Sequence, residues 1–235
     1  MLDIELINDL EPLHDDCAQD VNQFHRLHTT NLHTHGLHVS PTTDSSGEFD
    51  ADNDFVSVTP KGQFVPGEEI CGTSVAETLR SHRTQVRFEI GPDHLSGTFW
   101  YHAHKHGATQ SQVAAGLAGP LIVPDMPGTM PDYIAQAAEK IMMIVNEGLI
   151  LVDPDGGGAL TPTLAMRPGE VQRWRIINAQ ASGVGGGDFA RLSTNVPDLE
   201  MYQIAFDGLT LPRRFPIDQF DGDELWLESG GDGPR

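Results

Sequence analysis

The sequence predicts an all-β protein built from two antiparallel sandwiches, and three observations carry that prediction. Strand-length apolar runs recur between clusters of Gly, Pro, Asn and Asp, no long segment holds a convincing helical period, and 25 glycines and 16 prolines supply turns in abundance. The length agrees, because 235 residues accommodate two sandwiches of about 100 residues each.

Taken in order, MLDIELINDLEP reads as a first strand and its turn, and TNLHTHGLHVSP as strand-like sequence around two histidines. The acidic stretch TTDSSGEFDADNDF, residues 42–55, is expected to be a solvent-exposed loop. TQVRFEI, the turn GPDHLSG and TFWYHAH follow, with alternation putting Trp100 on the face of His102 and Tyr101 on the other. GPLIV ends a strand at Val123. The proline-rich PDMPGTMPDYIAQAAEK then marks a boundary, giving a first domain over 1–124, a linker over 125–140 and a second domain over 141–235. Within the linker, PDYIAQAAEKI can form a short helix. In the second domain IMMIV and VQRWRIINA are strands, with Trp174, Arg175 and Ile177 in packing roles. VDPDGGGALTP is an exposed loop and Asp207-Gly208 a turn.

The chemistry concentrates in His33-Thr34-His35-Gly36 and His102-Ala103-His104. In an extended strand residues i and i+2 share a face roughly 6–7 Å apart, so each motif aims two imidazoles at one place. Two such strands side by side make a four-histidine metal site. Imidazole donors suit copper, zinc, iron and nickel, whereas calcium and magnesium want oxygen, so the hard cations are excluded and the choice among the others stays open. His38 and His106 stand close to the motifs; Gly107 suggests that the strand ends before His106, leaving both as groups behind the ligands or at the surface. His14, His25, His28, His82 and His94 lie in polar, loop-like sequence and read as solvated.

TNLHTHGLHVSP and GTFWYHAHKHGATQSQVAAGLAGPLIV closely resemble the two copper-binding segments in the first cupredoxin domain of the multicopper oxidases, the group that contains laccases. LAMRPGEVQRWRIINA and YQIAFDGLTLP resemble the start of that family's second domain, so the likeness runs from Asn31 to Pro216. The resemblance implies cupredoxin-like Greek-key sandwiches, one complete and the second incomplete. It implies that His33 is a ligand of a type 2 copper and that His35, His102 and His104 are ligands of a type 3 copper pair. These four make half the shell of a trinuclear cluster; the family's last domain supplies the other half, with a His-Cys-His segment for the type 1 copper.

No such segment is present: the cysteines are Cys17 in LHDDCAQD and Cys71 in EEICGTS, neither flanked by the histidines that a copper–thiolate site needs. The two can pair in one disulfide or stand as separate thiols, and spacing does not decide. The resemblance therefore implies the amino-terminal part of a larger oxidase, in which another chain or a carboxy-terminal domain completes the copper shell.

With 34 acidic against 14 basic residues, a formal net charge of −20, the surface repels nucleic acid and anionic membranes and draws cations. No apolar run approaches the roughly twenty residues of a membrane span. The family implies a secreted or periplasmic location, with the export signal absent from this sequence.

The functional expectation is a laccase-like oxidase whose partners are dioxygen and a small reducing substrate, a phenol or a metal ion. The alternative is a copper-binding or copper-sequestering module without catalysis. A zinc hydrolase that opens on His-x-His needs a long βα barrel, for which this sequence has neither the length nor the helices. Asp93 and Asp125 are conceivable proton relays, with nothing in the sequence to favour either.

Overall fold

The computed structural model describes residues 1–13, 23–42, 45–63, 78–145, 148–152, 158–160, 163–181, 189–192, 199–217 and 225–228. His14, Cys17 and Cys71, and with them the question of a disulfide, lie outside the described residues. The chain divides into two compact units, Met1–His94 with Tyr101–Ala118, and Leu95–Trp100 with Gly119–Arg235.

The elements run β1 (Leu2–Ile7), β2 (His33–His35), β3 (Val56–Val58), β4 (Thr78–Arg80), β5 (Arg83–Phe88), β6 (Gly97–His102), the helix α1 (Thr109–Ala114) and β7 (Ala118–Val123). In β1 the sequence LDIELI alternates, so Leu2, Ile4 and Leu6 are half-buried while Asp3 and Glu5 face water. It pairs antiparallel with β5 from Leu2 opposite Phe88 to Ile7 opposite Arg83. Opposite charges flank the pair, with Arg87 donating to Asp3 at 2.7 Å; at this exposure such a pair contributes about 0–1 kcal/mol. The apolar core carries more: Val58 and Phe88 are fully buried, each stabilising by about 1.5–3 kcal/mol relative to exposure. The short β3 and β4 are parallel, a pairing outside the antiparallel expectation. Thr30 bridges to Val58, and the Asn8 amide donates to the His28 and Val58 carbonyls at 2.7 and 2.9 Å. Those bonds draw the chain ahead of β2 onto β3, and β2 lies beside β6 in one sheet.

The expectation of an exposed loop over residues 42–55 fails in its second half. Asp50, Ala51 and Asp52 are buried, because the carboxylates find donors that outweigh their desolvation. Arg80 donates to Asp50 through Nε and a terminal nitrogen at 2.9 and 2.7 Å, and Thr84 adds a third bond at 2.6 Å. Burial raises the Asp50 pKa, but these hydrogen bonds and the Arg80 charge prevail and hold it below the ordinary value.

The second unit continues with α2 (Asp132–Ala135), β8 (Ala138–Val145), β9 (Gly148–Val152), β10 (Gly158–Leu160), β11 (Gln172–Asn178), β12 (Phe189–Leu192), β13 (Tyr202–Phe206), β14 (Leu209–Pro216) and β15 (Leu225–Glu228). One sheet has the order β10-β9-β8-β11. Its β8 and β11 are parallel, Gln172 opposite Ala138 through Asn178 opposite Ile144. The chain between them returns to the starting edge through β9 and β10, as parallel pairing requires. The stretch expected to be the loop VDPDGGGALTP therefore contributes a strand over Gly158–Leu160, antiparallel to β9. Met142, Met143 and Ile177 are buried. Arg173 and Arg175 are buried beside them and pair with Asp125 and Glu139, so Asp125 serves an ion-pair network of this unit. The turn Asp207-Gly208 joins β13 to β14 with φ of 47° and 80°, the two positive angles of a type I′ hairpin. Among the described residues no helix is long and apolar enough to cross a membrane.

Candidate metal centre

All four motif histidines belong to the first unit. Strand β2 holds His33 and His35 either side of Thr34, which is buried. Thr34 anchors the strand through Asp52, whose carboxylate accepts from its N–H at 3.2 Å and from its hydroxyl at 2.5 Å. His102 ends β6, and His104 follows where the chain leaves the strand. The rings converge: His33 lies 5.2 Å from His102 and 5.0 Å from His104, and His35 lies 5.7 Å from His102, centroid to centroid. Ligating atoms of His33, His35 and His102 all fall within 4.8 Å of one another. Two imidazole nitrogens on one ion stand at most about 4 Å apart, given bonds of about 2.0 Å, so the set can close on one ion by small side-chain shifts or span more than one.

Hydrogen bonds at the far side of two rings define which nitrogen is offered. His102 Nδ1 lies 3.0 Å from the Ala103 carbonyl, which assigns the proton to Nδ1 and the lone pair to Nε2. Burial and then the neighbouring His33, His35 and His104 oppose a charge on His102, depressing its pKa to about 4 against a weaker opposing effect of the carbonyl. His33 Nδ1 lies 2.9 Å from Asp52 Oδ1 and 3.2 Å from Asp54 Oδ1, which assigns its proton likewise. Carboxylates behind a histidine in this way orient the ring and raise the basicity of its other nitrogen. Desolvation opposes ionisation of Asp52, but the bonds from His33 and Thr34 outweigh it and hold the carboxyl below the ordinary range.

His33, Asp52 and Asp54 are themselves close enough to hold a cation. The hydrogen-bonded arrangement is the better description, because the Asp52 oxygens already accept from Thr34 and His33. The four-imidazole set, with lone pairs assigned to Nε2 on two of the rings, has the donor chemistry that copper takes.

Several residues stand differently from the sequence expectation. His25 is buried rather than solvated: its Nδ1 meets the Gln23 carbonyl at 2.6 Å and its N–H donates to the Gly107 carbonyl at 3.1 Å. Gly107 has φ +80°, and a Cβ there would overlap the His25 ring, so this glycine is required by a close approach as well as by its backbone angle. His106 stacks on Phe55 at 5.6 Å and meets the edge of His104 at 5.8 Å, while His38 meets His94, whose Nε2 accepts from the His38 N–H at 3.0 Å. Lys105, between two histidines, is buried, with Nζ donating to the His106 carbonyl at 2.6 Å. Asp52 and Asp54 were hidden in an acidic stretch that reads as solvent-facing; their spacing of two, matching that of the histidines, is the signal that could have found them.

The structure meets known proteins at this point. Residues 56–128 match the family model described as multicopper oxidase. A crystal structure of an McoA multicopper oxidase variant from the hyperthermophile Aquifex aeolicus is similar over 97% of this chain, with 17% identity and a TM-score of 0.50. This chain spans 43% of that protein's length. A search of curated proteins finds no match. The mostly β architecture is thus consistent with the cupredoxin-like sandwiches of that neighbour. Within that fold, residues 56–128 are the part of the chain that is similar to the multicopper oxidase family.

Proposed function

We propose that this chain forms half of a trinuclear copper centre in a laccase-like oxidase, with His33 on a type 2 copper and His35, His102 and His104 on a type 3 pair. The observation that carries the reading is the convergence of the four rings, three of them with ligating atoms within 4.8 Å. Copper bound here would supply one-electron redox chemistry and a place for dioxygen to be reduced to water, at the expense of a phenolic or metal-ion reductant. The chain's own residues contribute four things. His102 stays neutral well below the pH at which an ordinary histidine takes a proton, so its lone pair stays available. Asp52 fixes the tautomer of His33. Asp54 Oδ2 stands 3.6 Å from His104 Nδ1, placing negative charge beside the cluster. The acidic surface raises the local concentration of cations. Further ligands from a second chain or from another segment complete the shell, and the protein works outside the cytoplasm. The lesser reading is a copper-binding module without catalysis, since four converging imidazoles hold copper whether or not they serve a reaction.

Anomalous diffraction at the copper edge from copper-loaded crystals tests the proposal. Two or three peaks bounded by His33, His35, His102 and His104 are expected. Ordered histidines with no peak among them under excess copper would end both readings. Peaks without dioxygen consumption, in the presence of reductant and the completing ligands, would leave only the copper-binding module.

A further inference from the structure

We propose that Asn31, two residues before the first motif, is the positioning residue that sets the two histidine segments in register at the metal centre; the inference rests on the copper-site reading above. Asn31 is buried, and its carboxamide makes two bonds to two different segments. Its Oδ1 accepts from the backbone N–H of His104 at 2.6 Å. Its Nδ2 donates to the backbone carbonyl of Asp54 at 2.9 Å. One planar group thus ties the residues leading into β2 at once to His104 of the second motif and to the loop whose carboxylate faces His33 and His104.

The need for such a clasp follows from the local structure. His104 lies beyond the end of β6, so no sheet ladder holds its backbone, whereas His33, His35 and His102 are all in strands. Asp54 also lies outside a strand. An amide that accepts from one and donates to the other fixes both, because a carboxamide carries its donor and its acceptor on one rigid plane. A second carboxamide runs the other way: Gln112 of α1, following the second motif, donates to the Leu27 and Thr29 carbonyls at 2.9 and 2.6 Å and accepts from the Thr30 hydroxyl at 2.9 Å. It laces the same two segments, but none of its partners is a histidine of the cluster. The pair therefore separates two roles: Gln112 holds the segments together, and Asn31 aims one ligand.

The test uses the 235-residue chain with Cu(II) as probe, comparing wild type, Asn31→Leu, Asn31→Asp and Gln112→Leu by competitive copper titration, electron paramagnetic resonance and thermal melting. Asn31→Leu is expected to lose copper affinity about 10–100-fold, the range for residues that orient a metal ligand, with an altered copper hyperfine pattern. Asn31→Asp keeps the acceptor for the His104 N–H and is expected to recover the wild-type spectrum more closely than Asn31→Leu. Gln112→Leu is expected to lower the melting temperature while folded protein keeps the wild-type spectrum. Asn31→Leu that is folded, binds copper within about threefold of wild type and gives a superimposable spectrum would overturn the inference alone. Altered spectra in Gln112→Leu equal to those in Asn31→Leu would overturn it too, reducing Asn31 to general support. If wild type takes up no copper at the histidines, the site reading and this inference fall together.

Discussion

Replacing Asp52 with Ala should destabilise the copper-free protein by about 2–4 kcal/mol, and the magnitude follows from what its carboxylate holds. Asp52 is buried and accepts three hydrogen bonds, from His33 Nδ1 at 2.9 Å, the Thr34 N–H at 3.2 Å and the Thr34 hydroxyl at 2.5 Å. Thr34 is itself only 1% exposed, so water cannot replace the lost acceptor without opening the strand. A buried donor left unmade costs about 1–3 kcal/mol, and two are stranded here. His33 is more accessible and recovers solvent, so it adds little. Part of the cost is offset because a desolvated charge is no longer required. Asp52→Asn keeps one acceptor oxygen and lets the Thr34 hydroxyl rotate to accept from the new amide, so it should cost only about 1 kcal/mol. The two variants part company on metal. Asp52→Ala removes the acceptor that fixes the proton on His33 Nδ1 and should weaken copper binding by about tenfold or more, whereas Asp52→Asn keeps the oxygen that accepts from His33 and should stay closer to wild type. Urea denaturation at neutral pH measures the first quantity and competitive copper titration the second. Equal stabilities for wild type and Asp52→Ala, within about 0.5 kcal/mol, would refute the hydrogen-bond accounting. Unchanged copper affinity in Asp52→Ala would refute the tautomer argument even if the stability ordering held.

Three further outcomes are expected. Gly107→Ala should cost about 2 kcal/mol or more, because its φ of +80° is strained for an L residue and its Cβ would overlap His25; a melting temperature equal to wild type would contradict the packing described. His102 has its pKa depressed to about 4 in the folded protein from 6.5. The unfolded chain therefore takes up a proton that the folded one declines, and this stability, fully present above pH 6.5, falls by about 1.4 kcal/mol per pH unit as pH drops toward the folded value. His102→Gln should flatten that part of the copper-free stability profile, and a profile of unchanged slope would count against the burial of His102. Asp50 has a lowered pKa, so its contribution is present above pH 3.8 and is lost as pH falls through the folded value. Asp50→Asn should be less stable at neutral pH and lose less on acidification, which acid titration of both proteins by circular dichroism will show.

What the sequence determined by itself is what depends on local rules. Alternation over LDIELI, the turn at Asp207-Gly208, the strands around IMMIV and QRWRIIN, and the two His-x-His motifs were all legible, because a period of two and a pair of positive φ angles are set by neighbours in the chain. The same rule predicted that each motif would present two imidazoles together. Only the tertiary structure decided the rest. The burial of Asp50 and Asp52 comes from Arg80, Thr84, His33 and Thr34, brought from elsewhere in the chain, so composition read those carboxylates as solvated. His25 is buried because Gly107 packs against it across more than eighty residues of sequence. The parallel pairing of β8 with β11, and the strand at Gly158–Leu160 that it carries along, are choices of sheet order that no local pattern encodes. Asn31 looks in the sequence like a polar residue beside a motif. Its meaning arises only where the fold delivers the His104 N–H and the Asp54 carbonyl to the two ends of one amide, since a hydrogen bond is specified by the meeting of its partners and not by either partner alone.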